Sequence, residues 1–407
     1  MRTDWTSKPL GDICNVVGGG TPSKRNPAFY EGDIPWATVR DMREEVLSRT
    51  EFNISPEAVK SSATNVISSG NVVIATRVGL GKVCLLSQAT AINQDLRGII
   101  PKSNNLDVRF LFRWLQSVSH IIQAEGTGAT VKGVKLPFVK SLSMPLPPLP
   151  EQKRIVAILD EVFAGIATAV ANTEKNLTNA RELFESYLHS VFNLGRHDWQ
   201  KRKLGEVTNV QSGGTPLRSK PEYWNGDIPW YASGELNDLT TSDPARYITK
   251  AGLENSNAKV FPRGSLLIGM YDTAALKMAM LNRDAAFNQA IAAASPDESL
   301  DLRFVFFAIN AAKSSLLLER RGVRQKNLSL GKIKSIQLPV PSLKEQRRVA
   351  DMLLSLVDDI GRLESVGRTK LGALAELKQS LLQKAFSGEL TAGKEASDAI
   401  RKVEEVA

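Results

Sequence analysis

Apolar positions along this 407-residue chain follow two rhythms, each occurring twice. The first is compact and broken. Runs such as Val72–Ala75, Lys82–Leu86 and Leu266–Gly269, bounded by glycine and proline, predict short strands. Wider spacing predicts helices over Asp107–Gln123 and Asp301–Leu318. Ser55-Pro56-Glu57 reads as a helix start, with an N-cap and proline at the first helical position, and Thr249 repeats the cap. The second rhythm is long and regular. Ile155, Leu159, Val162, Ile166, Ala169, Leu177, Ala180, Leu183, Tyr187 and Val191 alternate steps of three and four almost throughout, as do Val349, Leu353, Leu356, Ile360, Leu363, Leu371, Leu374, Leu377, Leu381 and Ala385. That alternation is a heptad seam. A helix of about 40 residues spans roughly 60 Å, too long for the core of a small domain. Each long helix follows a proline stretch, Pro145–Pro150 or Leu338–Pro341, which stiffens the entry without continuing the helix.

The two halves are one unit written twice. Asp4-Trp5 returns as Asp198-Trp199, and Gly19-Gly20-Thr21-Pro22 as Gly213-Gly214-Thr215-Pro216. Gly32-Asp33-Ile34-Pro35-Trp36 returns unchanged as Gly226–Trp230, and Glu151-Gln152 as Glu345-Gln346, all at an offset of 194. Asn93-Gln94 matches Asn288-Gln289 at 195, so one residue is inserted in the loop between and removed again before Asp301. Chance does not hold one offset from end to end.

The expected organisation is a mixed α/β domain over 1–144, a hinge and spacer helix over 145–195, a second domain over 196–337, a second hinge and helix over 338–391, and a tail from 392. The fold class is α+β, with the two long helices paired antiparallel as a coiled coil about a pseudo-two-fold axis. Readers related by such an axis meet two half-sites on duplex DNA at a set separation. Loops differ between copies: Val39-Arg40-Asp41-Met42 faces Ser233-Gly234-Glu235-Leu236, and Thr76-Arg77-Val78-Gly79 faces Met270-Tyr271-Asp272-Thr273. Copies that share a scaffold and vary in loops would read different half-sites, so the expected target is asymmetric.

Charge points the same way. Fifty-two Lys and Arg against 43 Asp and Glu leave a net charge of +9, which favours an anionic partner. Arg320-Arg321-Gly322-Val323-Arg324-Gln325-Lys326 packs four cations and a glutamine into one loop. Arg and Gln can bind guanine and adenine edges in bidentate fashion, and Lys suits phosphate. Lys132 and Lys135 lie in the equivalent segment. Lys24 and Arg25 follow one Gly-Thr-Pro turn, Arg218 and Lys220 the other, and Arg40 and Arg77 stand in the variable loops. A solvated charged surface is the plain alternative for each.

Other chemistry is thin. Asn26-Pro27-Ala28-Phe29-Tyr30 superficially resembles an adenine-methyltransferase motif, but its copy, Lys220–Trp224, lacks the asparagine, so a turn with an aromatic anchor is the better reading. Gly126-Thr127-Gly128 and Gly79-Leu80-Gly81-Lys82 lack phosphate-loop spacing. His120, His189 and His197 form no metal or catalytic spacing. The repeated Asp-Ile-Pro-Trp reads as a core anchor, since identity in both copies suits scaffold better than sequence reading. Two cysteines, Cys14 and Cys84, make neither a disulfide framework nor a zinc site and fit a reducing cytoplasm. No signal-peptide core stands at Met1–Leu10, and no unbroken apolar run reaches membrane length. On the long helices, Arg181, Glu185, Arg362 and Lys378 are expected on an outer face open to partners.

The stretches Leu146–Arg154 and Leu338–Arg348, each a proline-rich run through Glu-Gln into a long helix, resemble the specificity subunits of type I restriction–modification systems. The resemblance covers about residues 1 to 390, with Ser342 where the first copy has Pro148. It implies two target recognition domains and two spacer regions. It further implies a bipartite DNA target with a fixed gap, two methyltransferase subunits and restriction subunits as partners, and no catalysis in this chain. S-adenosylmethionine, ATP and Mg would belong to the partners. The rival is a scaffold whose two domains bind proteins, with the basic charge incidental.

Overall fold

The structure, a computed structural model, describes residues 5–128, 132–193, 199–318 and 327–392. Four helices organise it: α1 (Val108–Ser117), α2 (Leu149–Asn193), α3 (Leu302–Leu318) and α4 (Leu343–Ser387). The chain divides into two compact units, Met1–Glu174 with Gly367–Ala407, and Lys175–Val366. Each unit therefore holds one mixed α/β domain and half of each long helix.

In the first unit a five-stranded sheet runs in the order Cys14–Gly18, Leu96–Pro101, Val72–Ala75, Val83–Leu86, Val46–Leu47. A four-stranded sheet runs Phe52–Ile54, Ile34–Ala37, Thr90–Ile92, Asn65–Ile67. Val72–Ala75 is wholly buried, which accounts for its unbroken apolar sequence. Thr6–Pro9 pairs with Ser143–Leu146, so the start of the domain is stitched to its end just before α2. α1 begins on Asp107, whose carboxylate accepts from the Arg109 and Phe110 amides, and a break at Val118 separates it from a second short helix, Ser119–Ala124. The second unit repeats the plan: Gln200–Lys203 pairs with Gln337–Val340, and the larger sheet runs Val210–Ser212, Ile291–Ala294, Leu266–Gly269, Met278–Met280. The predicted caps are present, with Ser55 accepting from Ala58 and Thr249 from Gly252.

The helix entry is built around the repeated glutamine. Gln152, 1% exposed, accepts from the Asp107 amide at 2.9 Å and donates to the Asn105 and Pro147 carbonyls at 3.0 and 2.9 Å. Gln346 does the same between Asp301 and Pro341, both at 2.9 Å. A buried amide that satisfies backbone groups on both sides locks α1 or α3 to the first turn of the long helix.

Within each unit the two helix halves run antiparallel. In the first, Glu151 meets Thr391 and Phe163 meets Lys378, residue numbers rising on α2 as they fall on α4. In the second, Arg181 meets Glu364 at 2.7 Å and Tyr187 meets Met352 at 3.0 Å. The seam departs from the predicted heptads at Leu183 of α2 and Leu363 of α4, which are 68% and 54% exposed; on α2, Phe184 and Leu188 pack instead. A straight helix drifts about 20° per heptad against a strict repeat of seven, so the buried face walks on by one residue. A second correction concerns α2. It has no unbroken apolar run of membrane length, yet an 18-residue window reaches a mean hydropathy of 1.7. That content is used in packing: Ile155, Leu159, Val162, Phe163, Ile166 and Ala169 lie in the core of the first unit.

Candidate nucleic-acid interface

The Gly-Gly-Thr-Pro turn organises the surface of each domain. A Cβ on Gly19 would stand 2.2 Å from the Asn93 carbonyl oxygen, and one on Gly20 would stand 2.5 Å from the backbone of Ala63. Only glycine lets the two strands of chain approach this closely. The turn is held from below by Trp36, 5% exposed, whose Nε1 donates to the Gly20 carbonyl at 3.1 Å. Trp230, 1% exposed, donates to Gly214 at 3.0 Å in the other domain. The indoles are thus core anchors, and their polar edge satisfies the turn. Tyr30 stacks edge-on to Trp36 and donates its hydroxyl to Pro22, so the Asn-Pro-Ala-Phe-Tyr segment is an anchored turn.

Thr21 then donates to the side-chain oxygen of Gln94, and Thr215 does the same to Gln289. Around Gln94 opens a cleft of 940 Å³ lined by Lys24, Thr38, Arg40, Phe52 and Asp95 among others. Arg40 is presented by a rigid turn. The Asp41 carboxylate accepts from the Thr38 amide at 2.7 Å and the Glu51 amide at 2.8 Å. Arg77 approaches Asp95 at 3.7 Å. Its backbone pairs with Gly133, which places the loop carrying Lys132 against it. The cleft therefore brings Lys24 and Arg40 together, with Arg77 and Lys132 at its margin. Arg25 and Lys135 are exposed but outside the lining residues.

The second domain keeps the frame and changes the contents. Glu235 bridges the Ala232 and Ala245 amides at 2.7 and 2.8 Å as Asp41 does its counterparts, yet Gly234 stands where Arg40 was. A cleft of 520 Å³ is lined by Thr215, Asn257, Lys259 and Gln289. Arg218 is exposed and outside the lining residues. Lys220 is tied back, its Nζ 5.1 Å from the Tyr223 ring centre and 3.3 Å from the hydroxyl. Arg320, Arg321, Arg324, Gln325 and Lys326 lie outside the described residues.

The sequence reading used Gln94 and Gln289 as landmarks of the repeat and missed their placement at the clefts. It also missed Lys259, whose Nζ donates to Gln211 at 2.7 Å at the second cleft. Cys14 and Cys84 are buried, and burial pushes their thiols up to about 12 and about 11, far from reactive range. Among the described residues no three His, Cys, Asp or Glu side chains converge as a metal site.

Comparison with known proteins agrees in sequence and in fold. The type I restriction modification DNA specificity domain matches residues 2–178 and again 196–369. The MjaIX specificity subunit of Methanocaldococcus jannaschii is 23% identical over 95% of this chain and 94% of its own length. In fold, a chain from a structure on complex assembly and conformational transition of the type I R-M system superposes with a TM-score of 0.79. It is 20% identical and covers 96% of this chain and 99% of that one. The crystal structure of the HsdS subunit from Thermoanaerobacter tengcongensis gives 0.61 at 20% identity, covering 96% of this chain and 98% of that one. With the domain matched twice at the spacing of the internal repeat, this chain belongs to the type I restriction–modification DNA specificity family.

Proposed function

We propose that this chain reads an asymmetric, two-part DNA target with a fixed gap, residues 1–144 reading one half and 196–337 the other. The single observation that carries the reading is the pair of equivalent clefts. Each holds a glutamine fixed by a threonine on a glycine turn, and each is surrounded by different cations. A held glutamine amide suits an adenine edge, a contact both halves would share, and the differing Lys and Arg, suited to phosphate and guanine, would set the halves apart. The chain is non-catalytic and works in the cytoplasm with two methyltransferase subunits and restriction subunits. S-adenosylmethionine, ATP and Mg serve those partners.

A genome-wide map of modified adenines, with and without the gene in a host that makes the methyltransferase, tests the reading. Methylation at one gapped, asymmetric motif is expected to vanish on deletion; a map that does not change returns the chain to the scaffold reading. The site residues have their own test. Each phosphate contact contributes about 0.9 to the slope of log affinity against log salt. Replacing Lys24, Arg40 and Arg77 together with alanine should flatten that slope by up to about 2.7. An unchanged slope would place the phosphate contacts elsewhere.

A further inference from the structure

The two units differ most sharply where the domain meets the helix pair. In the first, Arg113, 5% exposed, extends from α1 between two carboxylates. Its Nη2 reaches Asp160 of α2 at 2.7 Å, and its Nη1 reaches Glu45 at 2.8 Å and Gln116 at 2.9 Å. Lys378 of α4 completes the group, 3.2 Å from Glu45 and 4.8 Å from the Phe163 ring centre. Two cations and two anions close on one another. Lys378 is thus no outer-face residue, contrary to its sequence reading.

Every one of the four charges is apolar at the equivalent place in the second unit. The offset of 194 carries Glu45 to Leu239, Arg113 to Phe307, Asp160 to Leu354 and Lys378 to Phe184. The helices obey the same offset, beginning at Leu149 and Leu343 and ending at Asn193 and Ser387. The loops match once the one-residue insertion is counted: the Leu85 amide donates to Glu45 as the Met280 amide, at an offset of 195, donates to Leu239. Phe307 is 1% exposed, and Phe184 and Leu354 pack into the same core.

This matters because α2 and α4 are equal in length, enter through the same Glu-Gln turn and carry their apolar stripes in one register. The first domain could accept the C-terminal half of either. Seating α2 there would set Phe184 against Glu45, Arg113 and Asp160 and take Lys378 from Glu45, which would then share Arg113 with Asp160, itself also held by Arg109 at 2.8 Å. Seating α4 in the second unit would bury Lys378 among Phe307 and Leu354. Both errors part a charge from its partner or set one against apolar side chains at a partly buried site, which is costlier than either native arrangement. Discrimination between partners of one shape requires such mismatches.

We propose that Glu45, Arg113, Asp160 and Lys378 form a pairing code that admits the C-terminal half of α4 to the first unit and excludes that of α2. The code makes the chain's own α2–α4 pairing prevail over α2–α2 or α4–α4 pairing with a second copy. It holds whether or not the chain reads DNA.

The test uses the full chain with all four charges replaced by their counterparts (E45L, R113F, D160L, K378F). Light and heavy isotopic copies are unfolded together, refolded and crosslinked, and mass spectrometry separates pairs within a copy from pairs between copies. Wild type should give α2–α4 pairs within one copy. The apolar variant should raise interchain α2–α2 pairs roughly tenfold, since the term that rejected Phe184 is gone. Pairing as faithful as wild type overturns the proposal. Should that variant fail to fold, Phe184→Lys decides. Loss of hydrogen-exchange protection around residues 302–318, with 108–117 unchanged, is expected, and unaltered protection overturns it.

Discussion

Replacing Arg113 with alanine is expected to destabilise the first unit by about 3 kcal/mol, the lower end for breaking a buried ion pair. The guanidinium is all but buried, and its removal takes from Asp160 and Glu45 the cation they share, leaving Arg109 and Lys378 as their remaining partners. The Glu45 side chain is 41% exposed, so solvent screens part of that loss and holds the figure down. Hydrogen exchange of the α1 amides under native conditions reads the change directly, and protection equal to wild type would mean the cluster contributes nothing net. Acid should narrow the contrast. Burial pushes the Glu45 carboxyl up, but the hydrogen bonds and charge of Arg113, with Gln116 and Lys378, hold it below the ordinary carboxylate value. A carboxyl depressed on folding adds stability that is present above its unfolded pKa and is lost as pH falls through the folded one. Wild type should therefore lose this contribution progressively as the pH falls from the usual carboxylate range towards the lower folded value. The alanine variant lacks it already at neutral pH, and with burial no longer opposed by Arg113 its stability should fall less than that of wild type on acidification.

Gly20→Ala should disable one half of DNA reading and leave the other. The new methyl would meet the Ala63 carbonyl carbon at 2.5 Å and the Thr64 nitrogen at 2.6 Å, backbone atoms that cannot turn aside. The turn must move, at a cost of about 1–3 kcal/mol in strain. Both of its tethers move with it: the Gly20 carbonyl that receives Trp36 and the Thr21 hydroxyl that holds Gln94. A displaced glutamine cannot keep a bidentate contact, which is worth about 1–3 kcal/mol of discrimination per base pair. Binding to the full target should fall about tenfold to a hundredfold. Base changes in the first half-site should cease to matter, while changes in the second still do. Gly214→Ala, whose methyl would stand 2.2 Å from the Asn257 carbonyl carbon, should give the converse pattern. Equal weakening of both half-sites by either variant would separate the turns from sequence reading.

The sequence by itself determined the duplication, the long helices and their proline entries, the capped short helices and the glycine turns. Those signals are local. Proline forbids a helix interior, Ser55, Asp107 and Thr249 satisfy amides two or three residues on, and two adjacent glycines mark a close approach of backbones. Tertiary structure alone decided which side chains meet across long separations. Gln152 looked like one letter of a motif and proved a buried clamp on residues 45 to 47 positions away. Gln94 was a landmark until Thr21 held it beside Lys24 and Arg40. Lys378 read as a solvated helix face and instead completes a cluster with Glu45, 333 residues distant. The seam at Leu183 and Leu363 failed for a related reason. Heptad spacing gives a helix its apolar stripe, but which residue of the stripe is covered depends on the neighbour it meets and the drift accumulated on the way.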